Sequence, residues 1–242
     1  MRTEEELAKT VETCKKLELT GLVLVGATHT LTDGVYLSEH FLKIKLSTRV
    51  VVVPASVDGN IHHKYIQAAI GFDTCSKLYS QLIGNMLTDS ASAIKYWYFI
   101  RLMGNKPSHM ALECALKTCP NMVIISEECV DRKETLWDIV DNICEVIIDR
   151  AKDHKNYGAI LIPEGLLSQL ASFDQMIIEM NKYFMQAHDK KELAQMVSNL
   201  EKEAHLKDVL SPWSYSLFIS LPDFFRHQML VEREIAGSLK LS

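Results

Sequence analysis

Leu7, Val11, Cys14 and Leu17 fall on one face of a 3.6-residue period, opposite a charged side. Residues 3–18 are therefore predicted to form an amphipathic helix. After Gly21 the period changes. Leu22 to Val25 is a short apolar run that reads as a buried parallel strand. A second helix is expected over 31–43, with Thr30 or Thr32 as N-cap and Asp33 in its first turn. The valine-rich run from Arg49 to Val53 gives a second strand, ended by Pro54. A long connection from Ala55 to Gly71 leads to a helix over 72–88, with Asp73 or Thr74 as cap. Strands at 96–102, 122–126 and 159–162 then alternate with helices at 107–118 and 132–153.

This alternation predicts an α/β fold, a mainly parallel sheet flanked by helices. Beyond Gly165 the pattern becomes helical and charged to about 207. It is then aromatic and broken by Pro212 and Pro222, so residues 1–165 read as an α/β body and 166–242 as a mostly helical insert or arm. The chain opens on a helix and closes without a terminating element, as a middle segment of a longer polypeptide would.

Composition narrows the function. With 242 residues and 48% apolar content the chain has material for a substantial core. A net charge of −5 with scattered Lys and Arg argues against a nucleic-acid-binding face. No apolar run is long enough to span a bilayer, and the acidic start is unlike a signal peptide, so a cytoplasmic protein without membrane association is expected. The six cysteines, Cys14, Cys75, Cys114, Cys119, Cys129 and Cys144, form no Cys-x-x-Cys pair and read as buried reduced thiols. His62-His63 is the only adjacent histidine pair, and it is not read as a metal site.

Chemistry concentrates in three loops that follow predicted strands, where α/β folds bind ligands. In Gly26-Ala27-Thr28-His29-Thr30, a glycine-led turn into a helix offers backbone N–H groups to a phosphate; an ordinary βα turn explains it as well. In Pro54-Ala55-Ser56-Val57-Asp58-Gly59-Asn60, Asp58 is placed either to take a proton from a substrate hydroxyl or to form an Asp-Gly turn. In Leu161-Ile162-Pro163-Glu164-Gly165, Glu164 is equally a sugar-hydroxyl acceptor and a first-turn helix acid.

In order and sequence, these loops resemble the phosphofructokinases, in particular the long pyrophosphate-dependent type. Gly71-Phe72-Asp73-Thr74 matches that family's Gly-Phe-Asp-Thr, and Phe99 to Asn105 is similar to its Met-Gly-Arg segment. Ser108-His109, Ala111 to Cys114 and Ile160 to Gly165 continue the likeness, and the tail around Leu210 to Trp213 and Ser220 to Pro222 resembles its helical insert. The resemblance implies a phosphate-donor loop at Gly26 to Thr30, with Asp58 as general base. It implies sugar-phosphate contacts at Ser56, Asp58, Met103, Gly104 and Glu164.

It also exposes departures. The acid linked to Mg²⁺ in the family falls at Thr28 and its neighbour at His29. The lysine before the Thr-Ile-Asp run is Ala55, the second carboxylate is Asn60, and the arginine after Met-Gly is Asn105. The family's cofactor is Mg²⁺, whose carboxylate anchor is missing here, and no metal ligand is assigned. What the likeness implies is a regulatory or structural, catalytically degenerate half of a pyrophosphate-dependent 6-phosphofructokinase. Its partners would be a fructose phosphate or phosphorylated effector and a catalytic half or subunit, in a homo- or hetero-oligomer. Two other readings stand beside it: an active phosphotransferase that uses Asp58 with groups from elsewhere, and an interaction scaffold without a small-molecule site.

Overall fold

The computed structural model describes residues 4–104, 108–189, 203 and 206–231. Asn105, the expected helical run through 190–202 and the tail beyond 231 lie outside the described residues.

The first half is built from α1 (Glu4–Lys16), β1 (Gly21–Gly26), α2 (Thr28–Lys43), β2 (Arg49–Ser56) and β3 (Ile70–Gly71). The three strands are parallel in the order β1-β2-β3, with β1 on β2 from Gly21↔Arg49 to Gly26↔Pro54. Helices α1 and α2 cover one face. Cys14, Leu37 and Phe41 are buried there against Leu7, Val11, Leu22, Leu24 and Val50. The other face is bare: Val23 and Val25 are each 62% exposed and Val51 is 55% exposed. The apolar run of β1 is thus a half-buried strand rather than the buried one expected, because among the described residues helices lie on one side only.

Pro54 does not end β2, which continues to Ser56. The missing N–H of Pro54 falls on the last rung of the β1 ladder, and from Ala55 the strand turns to a new partner, Ala55↔Ile70 and Ser56↔Gly71.

Helix α3 (Phe72–Ala93) runs five residues past its expected end to a left-handed Ile94. It leads into a second parallel sheet of order β4-β6-β5, made of β4 (Trp97–Leu102), β5 (Met122–Val123) and β6 (Gly158–Pro163). The strands therefore divide between two sheets. The central strand β6 is the most apolar of the second, with Ala159, Ile160 and Leu161 fully buried. Full burial of such an Ile or Leu side chain stabilises by about 1.5–3 kcal/mol. Helices α3 and α4 (His109–Thr118) pack on this sheet, where Ile83, Met110, Ala111 and Cys114 meet Leu102 and Leu161.

The strand expected at 122–126 stops at Val123, and α5 (Ser126–Asp131) begins at Ser126. The Ser126 N–H donates to Ser108 Oγ (2.9 Å) instead of to a strand neighbour, which turns the chain out of the sheet. Helix α6 (Leu136–Lys152) starts with a capping box in which Thr135 and Asp138 satisfy each other's backbone N–H groups.

The C-terminal helices are α7 (Leu166–Gln169), α8 (Ala171–Asp189), α9 (Pro212–Ser220) and α10 (Asp223–Val231). Leu166, Leu170, Phe173, Met176, Met180, Phe218 and Met229 share one core with Ile124, Cys129 and Ile139. Glu179 of α8 holds the start of α9 by accepting from the Ser211 N–H (3.0 Å) and hydroxyl (3.1 Å). Among the described residues no helix is long and apolar enough to cross a membrane. All six cysteines are free; Cys14, Cys114 and Cys129 are buried, whereas Cys119 and Cys144 are exposed, contrary to the uniformly buried reading.

Candidate functional site

The first loop is shorter than its sequence suggested. Ala27 is extended and caps α2, which begins at Thr28, so Thr28, His29 and Thr30 form the helix's first turn. Leu31 N–H donates to Ala27 O (3.1 Å), leaving neither Thr30 nor Thr32 as N-cap. The Thr32 hydroxyl instead bonds Thr28 O (3.1 Å), and Asp33 lies in the second turn. No acid stands in the first turn, so its N–H groups at the end of β1 remain a positive end suited to an anion. Gly26 is required by close approach: a Cβ there would collide with the Thr30 side chain.

The second loop leaves the same sheet edge. Gly26↔Pro54 sets the two strand ends side by side. Ala55 and Ser56 belong to β2 itself, and Ser56 is buried. Its hydroxyl accepts the Asp58 N–H (3.1 Å), which fixes Asp58 two residues past the strand. The Phe72 ring lies against Gly59, where an added Cβ would come within 2.8 Å of Phe72 Cδ2. Phe72 also packs into the second half's core. The N-cap of α3 is Gly71, not Asp73 or Thr74, and Asp73 is a first-turn acid.

The third loop sits at the carboxyl edge of the second sheet, where Leu102↔Pro163 aligns β4 and β6. Glu164 N–H donates to Leu102 O (2.9 Å). Its carboxylate accepts the Gly104 N–H (3.3 Å) through Oε2, while Oε1 lies 3.9 Å from Arg101 Nη2. Gly165 caps α7, so Glu164 precedes that helix and is not its first-turn acid. Gly104 and Glu164 are thus brought together, with Met103 preceding Gly104 in the chain.

Helix α3 connects the two edges. Its start lies beside Ser56 and under Gly59, and Tyr79, two turns further along, is close enough to feel the charge of Glu164. The Tyr79 phenol is pushed above its usual value chiefly by burial, then by Cys75, Cys114 and Glu164. From Phe72 to Tyr79 a helix rises roughly 10 Å.

Residues outside the sequence-derived set tie neighbouring elements together. Ser108 N–H donates to Glu127 Oε1 (2.9 Å), tying the start of α4 to α5. Burial alone would raise the Glu127 carboxyl. Hydrogen bonds from Ser108 and from its own N–H, together with the His109 charge, pull it below the usual range. Arg101, Tyr79 and Glu127 escaped notice because their partners lie far away in sequence; the one available signal was a charged Arg101 in an otherwise apolar strand. Among the described residues no group of three or more His, Cys, Asp and Glu is arranged to hold a metal.

Two parallel sheets, one with a helix start free of first-turn acids at its carboxyl edge and the other with Glu164 bonded to Gly104 N–H at its own, are the frame for comparison with known proteins. The phosphofructokinase family profile matches residues 1–208, and the chain belongs to that family. Its relatives narrow the class further. The alpha subunit of pyrophosphate–fructose 6-phosphate 1-phosphotransferase from Solanum tuberosum is 40% identical over all 242 residues, which span 37% of that protein. A beta subunit from Arabidopsis thaliana is 37% identical over the same span, 41% of its length. The Treponema pallidum enzyme of that name is 36% identical over 42% of its length. The chain therefore corresponds to well under half of these curated relatives.

Among solved structures, the pyrophosphate-dependent phosphofructokinase from Nitrosospira multiformis superposes with a TM-score of 0.56 at 15% identity. The match covers 69% of this chain and 41% of that one. The Saccharomyces cerevisiae phosphofructokinase gives 0.54 at 16% identity, over 66% of this chain and 21% of that one.

Proposed function

We propose that this chain is a sugar-phosphate-binding, catalytically degenerate segment of a pyrophosphate-dependent 6-phosphofructokinase. It serves the conversion of fructose 6-phosphate to fructose 1,6-bisphosphate by holding structure and ligand rather than by transferring phosphate. One observation carries the reading: Glu164, poised between Gly104 N–H and Arg101, keeps the sugar edge intact, while no acid stands in the first turn after Gly26.

Phosphoryl transfer depends on cations and metal placed around the moving group. Thr28, His29 and Thr30 are a poor match for Mg²⁺, which favours carboxylate oxygens. Ala55 removes a further positive charge. Loss of one stabilising group costs about 10²–10³ in rate, by analogy with oxyanion donors, and several are absent together.

In this reading residues 1–165 form the α/β body and 166–242 the mostly helical insert or arm, whose described helices share a core with Ile124, Cys129 and Ile139. The segment acts in the cytoplasm beside a catalytic half or subunit. The alpha and beta naming of the relatives supports a partner subunit of this kind.

Calorimetric titration of the purified chain with fructose 6-phosphate tests the proposal. Saturable binding that Glu164→Ala removes is expected. Absence of binding would defeat it and favour an interaction scaffold. A second reading draws on Asp58, which the resemblance makes the general base and whose N–H donates to Ser56 Oγ. If the assembled enzyme uses this half for chemistry, Asp58→Ala abolishes turnover there; under the leading reading activity survives.

A further inference from the structure

Resting on the sugar-phosphate reading above, we infer that Arg101 is the cation that engages the ligand's phosphate at the Met103–Gly104–Glu164 edge. The strand that carries it, Trp97 to Leu102, is otherwise apolar or aromatic, so a guanidinium there requires a reason. Strand alternation supplies the direction. Leu102 is buried in the sheet's core, whereas Arg101 leaves the core side with its side chain 66% exposed. Its register, Arg101↔Ile162, puts it one rung before the carboxyl edge, within reach of whatever lies over Gly104.

The ion pair with Glu164 does not consume it. At 3.9 Å the contact is longer than a charge-assisted hydrogen bond of about 2.7–2.9 Å. A pair this exposed contributes little net stability. Glu164 is meanwhile bonded through its other oxygen to Gly104 N–H. The guanidinium is therefore held near the edge and retains its bidentate donor fork for a phosphate, a geometry lysine lacks. The arrangement divides the labour: Glu164 accepts from sugar hydroxyls, and Arg101 reads the phosphoryl oxygens. It supplies a substrate-side cation at a place where the chain has Asn105 after Met-Gly.

Arg101→Ala, Arg101→Lys and the unsubstituted chain are titrated with fructose 6-phosphate and, by ligand-observed NMR, with fructose. Because the side chain is on the surface, the variants are expected to fold with unchanged unfolding midpoints. Arg101→Ala should weaken fructose 6-phosphate binding about ten- to a hundredfold, the loss of a charge-assisted hydrogen bond. Arg101→Lys should fall between, the salt dependence of binding should flatten in Arg101→Ala, and fructose binding should be unchanged. Fructose 6-phosphate affinity within twofold of the unsubstituted chain would overturn the assignment. So would an equal loss for fructose and its phosphate, which would make Arg101 a positioning residue for Glu164. No binding by the unsubstituted chain would overturn this inference and the function above together.

Discussion

The same substitution at two glycines associated with α3 is expected to shift stability in opposite directions. Gly71, its N-cap, has φ +120°, a conformation that side-chain-bearing residues rarely adopt. A Cβ there would stand 2.8 Å from Ser56 O and 3.1 Å from Ser56 C, both backbone atoms of a paired strand that cannot swing aside. Strain of this kind costs about 1–3 kcal/mol, and with the clash Gly71→Ala should cost about 2–4 kcal/mol. Gly84 lies within α3 with nothing inside 4 Å of an added Cβ. There the change removes only backbone freedom in the unfolded chain, so Gly84→Ala should stabilise by about 0.5–1 kcal/mol. Guanidinium unfolding followed by circular dichroism, with the slope checked for constancy, measures both. Because Gly71 seats Phe72 under Gly59, Gly71→Ala should also weaken fructose 6-phosphate binding, while Gly84→Ala leaves it alone. A Gly71→Ala variant within 0.5 kcal/mol of the parent, or a destabilised Gly84→Ala, would refute the reasoning.

Other outcomes follow from the titrating groups. Glu127 and Glu179 both lie below the usual carboxylate range. Burial opposes this in each, and hydrogen bonds outweigh it: from Ser108 to Glu127, and from Ser211, Gln175 and Ser214 to Glu179. A carboxyl depressed on folding stabilises fully above its unfolded value of about 4.3, and that stability is lost as pH falls through the folded value. Unfolding free energy should stay level from neutral pH down to about 5.5 and decline below about 4.5. The decline should be shallower in Glu127→Gln and Glu179→Gln, and an unchanged slope would contradict the assignment. Burial, followed by the neighbouring Glu134, pushes the Cys129 thiol up to about 12, so it carries almost no thiolate at pH 8. Iodoacetamide should label Cys119 and Cys144 first and spare Cys129, as peptide mass mapping would show.

Much of the fold was legible in the sequence because its strands are uninterrupted apolar runs. Leu22 to Val25, Arg49 to Val53 and Ala159 to Ile162 announce parallel strands on their own. What the runs do not carry is who pairs with whom, so one expected sheet resolves into two. Pro54 and Ser126 show the same limit. Each changes the path of the chain through a long-range partner, the end of β1 in one case and the Ser108 hydroxyl in the other. At the start of α2 three threonines lie close together, and local propensity does not choose among them; the extended Ala27 does.

The site divides along the same line. The positions of Asp58 and Glu164 just past their strands were readable because recognisable loops follow those strands. The Arg101–Glu164 and Ser108–Glu127 contacts join residues distant in sequence and close only in the folded chain. Glu164 illustrates the gain: local sequence left it equally a helix acid or a ligand group, and in the structure it precedes α7 and accepts from Gly104 N–H instead of serving as a first-turn helix acid.

Under the proposed function the chain keeps its grip on a sugar phosphate and lacks the groups that move phosphate. Phosphorus NMR of the purified protein with fructose 6-phosphate, pyrophosphate and Mg²⁺ addresses both halves at once. The account predicts a fructose 6-phosphate resonance shifted and broadened by the protein, with no fructose 1,6-bisphosphate accumulating over hours. Steady growth of the bisphosphate signal, or a fructose 6-phosphate resonance the protein leaves untouched, would contradict it.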